Sequence, residues 1–207
     1  MQIFTLLTLL TMSLALFSET KVLVLAGSTR ADSYNKKLAY EAASMARKMG
    51  AKVTVIDLKD YPMPFYDADM EVSVGMPENA KRFRKAMIDS DAIVIASPEY
   101  NQSMSAVLKN ALDWASRGED GNSSKEAFQG KTFGIMSASP GKKGGARGLL
   151  HLQAVIEDVR GKVIAKQVSI PRAHQEFDET GALVNTALKN ELQEEIKEVL
   201  HSAKSNE

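Results

Sequence analysis

The 207-residue chain contains no cysteine, which removes disulfides, thiolate metal sites and cysteine nucleophiles together. It also has no net charge. Lysine plus arginine and aspartate plus glutamate stand at 26 each, so no global field draws it to nucleic acid or to an anionic membrane. The three histidines, His151, His174 and His201, are far apart without metal-ligand spacing, and no metal site is expected. Proline-rich linkers, internal repeats, charge blocks and low-complexity tracts are missing, which leaves one domain as the default. Two nucleotide signatures are absent as well. Without Gly-x-x-x-x-Gly-Lys-Ser/Thr there is neither the lysine that reaches a triphosphate nor the hydroxyl that holds magnesium. Without Gly-x-Gly-x-x-Gly a pyrophosphate has no glycine bed to lie against.

The first seventeen residues, Met1 to Phe17, are apolar apart from Gln2 and scattered Thr and Ser, and carry no charge before Glu19. They have no basic n-region, a weak cleavage pattern around Ser13-Leu-Ala15, and too short an apolar run for a spanning helix. The expectation is an N-terminal extension or signal-like segment over 1–19 ahead of a domain over 20–207, and a cytoplasmic protein. Export or membrane association through residues 1–17 is the alternative.

From residue 20 onward apolar runs alternate with stretches of helical periodicity. Strands are predicted at Lys21–Ala26, Lys52–Asp57, Ala92–Ser97, Lys131–Ser137 and Lys162–Ser169, and several are apolar at consecutive positions, as strands buried on both faces of a parallel sheet are. Helices are predicted at about Tyr34–Met49, Pro77–Ser90, Ser103–Arg117, Gly145–Arg160 and Ala187–Ala203, with Gly50 and Gly161 as stops after the first and fourth. Five strands each followed by a helix imply an α/β doubly wound three-layer sandwich, for which the five-strand order 2-1-3-4-5 is expected. Ligands bind beyond the carboxyl ends of such strands, and the loops after strands 1 and 3 share one site at the switch point.

The loop after strand 1 reads Gly27-Ser-Thr-Arg-Ala-Asp-Ser-Tyr-Asn35. It enters a helix, whose first N–H groups and positive dipole end favour an anion. Ser28, Thr29, Arg30, Ser33 and Asn35 supply hydroxyl, guanidinium and amide donors, a set that suits a single terminal phosphate, as in a mononucleotide. An ordinary polar turn with Ser33 capping the helix is the other reading. Beyond strand 3, Pro98-Glu-Tyr-Asn101 forms a stiff polar turn able to meet the edge of a flat heterocycle, with Tyr100 over one face. Alternatively Tyr100 packs over its own loop while Asn101 or Ser103 caps the next helix. Strand 4 leads into Ser137-Ala-Ser-Pro-Gly-Lys-Lys-Gly-Gly-Ala-Arg147, whose glycines at 141, 144 and 145 allow positive φ and close approach to a ligand, or merely a flexible connection. The segment Asp60–Met70 is read as a long, proline-stiffened loop that borders a site or an interface, or closes the core with Phe65 and Tyr66.

These loops together carry a resemblance. Gly27-Ser-Thr-Arg-Ala-Asp-Ser-Tyr-Asn35 resembles the Gly-Ser-x-Arg-x-x-Ser-x-Asn phosphate loop of the NADPH-dependent FMN reductase family, which includes quinone, azo-dye and chromate reductases. Pro98-Glu-Tyr-Asn-Gln-Ser103 with Leu108-Lys-Asn-Ala-Leu-Asp-Trp114 is similar to the family's second signature and Gly144-Gly-Ala-Arg147 to its third; the likeness spans about residues 20–200. It implies a flavodoxin-like fold, bound FMN and an NADPH or NADH donor. The implied activity is reduction of quinones or similar acceptors, among them free flavin, azo compounds or chromate. The implied cofactor contacts are Ser28, Arg30, Ser33 and Asn35 at the phosphate, and Pro98, Glu99, Tyr100 and Asn101 at the ring, with Ser137 and Gly141 from the third loop. No side chain is assigned as a catalytic acid, base or nucleophile, because the flavin carries the chemistry. Asp113 is expected in a structural pairing. A homodimer or homotetramer is implied, with a small-molecule acceptor as the other partner. A flavodoxin-type electron carrier serving a protein partner is the alternative; the balanced charge and Arg30 speak for the reductase.

Overall fold

The computed structural model describes residues 19–205, so the expectations for the apolar N-terminal stretch over residues 1–18 lie outside the described residues. Five strands form a parallel sheet in the order β2-β1-β3-β4-β5, the predicted order, and a sixth short strand, β6, pairs with β4. The strands are β1 (Lys21–Ala26), β2 (Lys52–Asp57), β3 (Ala92–Ala96), β4 (Thr132–Ala138), β5 (Lys162–Val163) and β6 (Ser169–Ile170). Helices are α1 (Tyr34–Lys48), α2 (Ala68–Val74), α3 (Glu78–Ile88), α4 (Ala106–Ala115), α5 (Ala146–Asp158) and α6 (Thr186–Lys204). None of the helices among the described residues is long and apolar enough to cross a membrane.

Consecutive apolar residues in β1 and β3 divide between two cores because successive side chains point to opposite faces. Val22 and Val24 join Ala39, Ala42, Ala43 and Ala46 of α1 and Leu192, Ile196 and Val199 of α6. Leu23, Leu25, Ile93 and Ile95 instead pack with Phe83 of α3, Leu108 and Leu112 of α4, and Leu152 and Ile156 of α5. The alanine stripe lets α1 lie close to the sheet, and so fixes where its N-terminus emerges at the carboxyl edge. Edge strand β2 is half exposed, with Lys52 and Thr54 in water.

Three expectations need correction. The fifth strand, predicted as continuous, is broken between Val163 and Ser169. Across the break, carboxylates of α6 take the place of a neighbouring strand: Glu198 Oε1 accepts from Ala165 N at 3.2 Å and Glu195 Oε2 from Val168 N at 2.9 Å. The Asp60–Met70 loop contains the start of α2, which Asp67 caps by accepting from Asp69 N and Met70 N. That helix has no apolar stripe to read, since Val72 and Val74 are exposed. The loop before it closes the third small core: Pro64 O accepts from Trp114 Nε1 and Asn110 Nδ2, each at 2.9 Å, and Tyr66 packs edge-on against Trp114. At the end of α5 the left-handed residue is Arg160, at φ 75°, rather than Gly161. Gly161 is needed for space, because a Cβ there would stand 2.5 Å from Ile156 and 2.7 Å from Phe133. Gly50, by contrast, ends α1 in the expected left-handed conformation at φ 86°.

Candidate functional site

The loops leaving β1, β3 and β4 are stitched together at the carboxyl edge of the sheet. Gly27 N donates to Ala96 O at 2.9 Å and Ser97 N to Met136 O at 2.8 Å. The Ser105 hydroxyl donates to Gly27 O at 2.6 Å while accepting from Leu108 N at 3.3 Å, so one serine caps α4 and holds the first loop against it. This corrects the expectation that Asn101 or Ser103 caps that helix. Gly27 permits the approach, since a Cβ there would fall 2.9 Å from Leu108.

Between the loops lies a cleft of about 140 Å³, lined by Ser28, Arg30, Ser33, Tyr34 and Asn35 from the first, Pro98, Glu99 and Tyr100 from the second, and Ala138, Ser139 and Pro140 from the third. Its phosphate-like end has donors to spare. Ser33 occupies the N-cap position of α1 with extended backbone, yet its side chain makes no capping hydrogen bond, and the first turn carries no acidic residue. The first N–H groups of that turn are therefore left without a side-chain acceptor. The Arg30 guanidinium is exposed and makes no hydrogen bond or ion pair among the described residues. The neighbouring Asp32 carboxylate is drawn off by Lys37 at 2.8 Å, which holds its pKa below the usual range. A helix terminus, a hydroxyl and a guanidinium, all without protein acceptors, are chemically suited to meet an anion.

Two further polar side chains of the cleft, Asn35 and Glu99, are engaged within the protein. Asn35, 3% exposed, donates through Nδ2 to Ala138 O at 2.9 Å and accepts from Ala138 N at 3.0 Å, which pins α1 to the end of β4. The Glu99 carboxylate accepts from Arg147 N, Arg147 Nε and Gly148 N at 3.0, 3.0 and 3.2 Å, and so caps α5 from across the cleft. Burial works against its charge, but the Arg147 side chain and these backbone donors outweigh it and hold the Glu99 pKa below the ordinary value.

Three of the sequence-predicted residues are not brought into the cleft. Ser137 is fully buried and donates to Gly144 O at 2.5 Å, bracing the third loop from below. Gly141 is exposed and lacks the positive φ that Gly144 and Gly145 have. Those two glycines serve close approach within the protein: a Cβ would lie 2.8 Å from the Ile170 backbone or 2.7 Å from Ser137 Oγ. Asn101 sits at φ 51° beside Gln102 at φ 66°, in a two-residue turn closed by reciprocal Tyr100–Ser103 hydrogen bonds of 2.9 and 3.0 Å. It lines the next hollow along the edge instead.

Comparison with known proteins agrees with this architecture. The family model described as NADPH-dependent FMN reductase matches residues 20–175. The chain belongs to this family. It is 34% identical over 180 residues to an NAD(P)H-dependent FMN reductase of Pseudomonas aeruginosa, covering 86% of this chain and 92% of that one. It is also 34% identical over 187 residues to an NADPH:quinone oxidoreductase of Arabidopsis thaliana, covering 88% and 89% respectively. Among solved structures, the flavoenzyme NAD(P)H:(acceptor) oxidoreductase FerB of Paracoccus denitrificans superposes with a TM-score of 0.72 at 24% identity, over 88% of this chain and 98% of that one, which establishes the shared fold.

For a family of FMN reductases the donor set fits: one cluster of unspent donors suits one terminal phosphate. The sequence reading missed four residues of the cleft wall, Tyr34, Ala138, Ser139 and Pro140. Small residues and a proline directly after an apolar strand were the available signal, and they border the loop that was noticed. Asp113 is in the expected structural pair, 2.6 Å from Lys109.

Proposed function

We propose that this chain is an FMN-dependent oxidoreductase that takes reducing equivalents from NADPH or NADH and passes them to quinones or similar small acceptors. The observation that carries the reading is the uncapped start of α1, where Ser33 and Arg30 stand unspent beside open backbone donors. In this reading Ser28, Arg30, Ser33 and the first-turn amides hold the phosphate. Pro98, Glu99 and Tyr100 border the ring on one side, with Ala138, Ser139 and Pro140 on the other. Bound FMN supplies the hydride acceptance and electron transfer. The protein supplies place and shelter. Asn35 keeps the phosphate and ring ends at a fixed separation through its two bonds to Ala138. Glu99 spends its charge on Arg147 and the α5 terminus, so it holds a wall of the site without being asked to move a proton. Tyr100, 52% exposed, can cover a flat ligand and limit water at the ring face.

The protein is read as cytoplasmic and as a homo-oligomer; the exposed side chains of Phe65, Val72 and Val74 on the α2 excursion support a subunit contact. Anaerobic addition of NADPH to FMN-loaded protein should bleach the flavin absorbance, and a quinone should restore it. Varying nicotinamide and quinone together should give parallel double-reciprocal lines, since both substrates use one ring face in turn. Reduced protein that ignores small quinones, azo compounds and free flavin and serves only a protein partner would overturn the assignment in favour of an electron carrier.

A further inference from the structure

Beside the cofactor cleft lies a second, larger hollow of about 620 Å³, within the range that holds small organic ligands. Tyr100 lines both. The floor is apolar, with Met104 from the turn before α4 and Val155 from α5, while Ser103, Lys109 and His151 offer polar atoms. No carboxylate lines it, and Lys109 is the one lysine or arginine among its lining residues. Lys109 is paired with Asp113 at 2.6 Å, but the pair is an exposed i,i+4 contact of the kind that contributes little and yields readily to a better-placed anion.

We propose that this hollow is the acceptor's specificity chamber and that it selects aromatic quinones bearing an ionised substituent, with Lys109 receiving the anionic group. The inference rests on the reductase reading above, because Tyr100 would then stand between the flavin ring and the chamber. An acceptor ring placed against Tyr100 has apolar surface beneath it, and a carboxylate or sulfonate projecting toward α4 and α5 meets a cation and neutral donors. A neutral quinone gains only the apolar contact. The chamber therefore discriminates by charge, whereas the apolar floor accepts either ring.

The test compares kcat/KM for 1,2-naphthoquinone-4-sulfonate with that for 1,2-naphthoquinone in FMN-loaded protein, and asks how the ratio of the two changes in variants, so that intrinsic reactivity cancels. Lys109→Gln should lower the sulfonate-to-neutral ratio about tenfold, the loss of one charge-assisted contact. Lys109→Arg should restore most of it. Lys204→Gln removes the same charge from α6, on the opposite face of the sheet, and should leave the ratio as in the unmodified protein. An unchanged ratio in Lys109→Gln overturns the proposal, and so does an equal fall in Lys204→Gln, which would mean a diffuse field instead of a chamber. Failure of the unmodified, flavin-loaded protein to reduce either quinone would overturn the reductase reading itself, and the chamber with it.

Discussion

The two ends of the cleft are built from the same kinds of side chain and use them in opposite ways. Around α1 the donors of Ser33, Arg30 and the first helical turn are left without protein acceptors. Around β3 and β4 the polar groups of Asn35 and Glu99 are consumed by Ala138, Arg147 and Gly148, and beneath the cleft Ser137 is consumed by Gly144. Folding normally satisfies buried or half-buried polar groups, so on the reading proposed above the unspent set at the helix terminus awaits a ligand, while the spent set serves as scaffold. Mutation should separate the two: scaffold changes lower stability, and receptor changes lower affinity.

The largest effect is expected at Asn35. Asn35→Ala deletes two buried hydrogen bonds and orphans both polar groups of Ala138, which should cost about 2–4 kcal/mol of stability in denaturant titration of the flavin-free protein. Stability within about 0.5 kcal/mol of the parent would mean that the site is not pinned there.

Arg30→Ala should do the reverse. Loss of a charge-assisted phosphate contact predicts FMN binding weaker by about ten- to a hundred-fold, with the melting temperature of the flavin-free protein preserved. Unaltered FMN titration would assign the phosphate to the backbone and hydroxyls alone.

Among the described residues, Glu195 and Arg84 each leave a buried polar atom without a partner, and Glu195 lies against the sheet. It is 0% exposed, and its Oε1 has no hydrogen-bond partner while Oε2 accepts from Val168 N. Burial, with Glu198 adding to it and Val168 N–H and Lys166 opposing, pushes its pKa well above the ordinary 4.5. The unfolded chain releases this proton near 4.5, whereas the folded chain keeps it, so its contribution is fully favourable below that pH and fades as pH rises toward the raised folded value. Glu195→Gln should flatten the fall of stability with rising pH by up to about 1.4 kcal/mol per pH unit across that window. An identical pH slope in the variant would place the proton elsewhere.

The smallest effect is at Ser33. A serine that capped α1 would lose about 0.5–2 kcal/mol of stability on replacement by alanine. Here Ser33→Ala should leave flavin-free stability within about 0.3 kcal/mol and weaken FMN binding by about three- to tenfold. A full capping loss without an affinity change would make the residue part of the fold alone.

Much of this was legible in the residues. Consecutive apolar runs gave the parallel sheet, because burial on both faces leaves a direct compositional trace. The Gly27–Asn35 loop was legible because hydroxyls, a guanidinium and a helix start are packed into nine residues. What escaped were properties that depend on partners distant in the chain. Asn35 read as a ligand donor, and only the fold brings Ala138, 103 residues away, against both of its amide atoms. Ser137 and Gly145 read as a ligand loop, but a hydroxyl and a missing Cβ meet each other there. The break between β5 and β6 was invisible because the carboxylates that fill it come from α6.

The proposed single-phosphate site at the α1 end of the cleft is tested most directly by one set of titrations: affinities of the flavin-free protein for riboflavin, FMN and FAD under the same conditions. FMN should bind about a hundredfold or more tightly than riboflavin, from the charge-assisted contacts that only a phosphate can make, and more tightly than FAD, whose second phosphate has no glycine bed here. Equal affinity for all three would contradict the assignment.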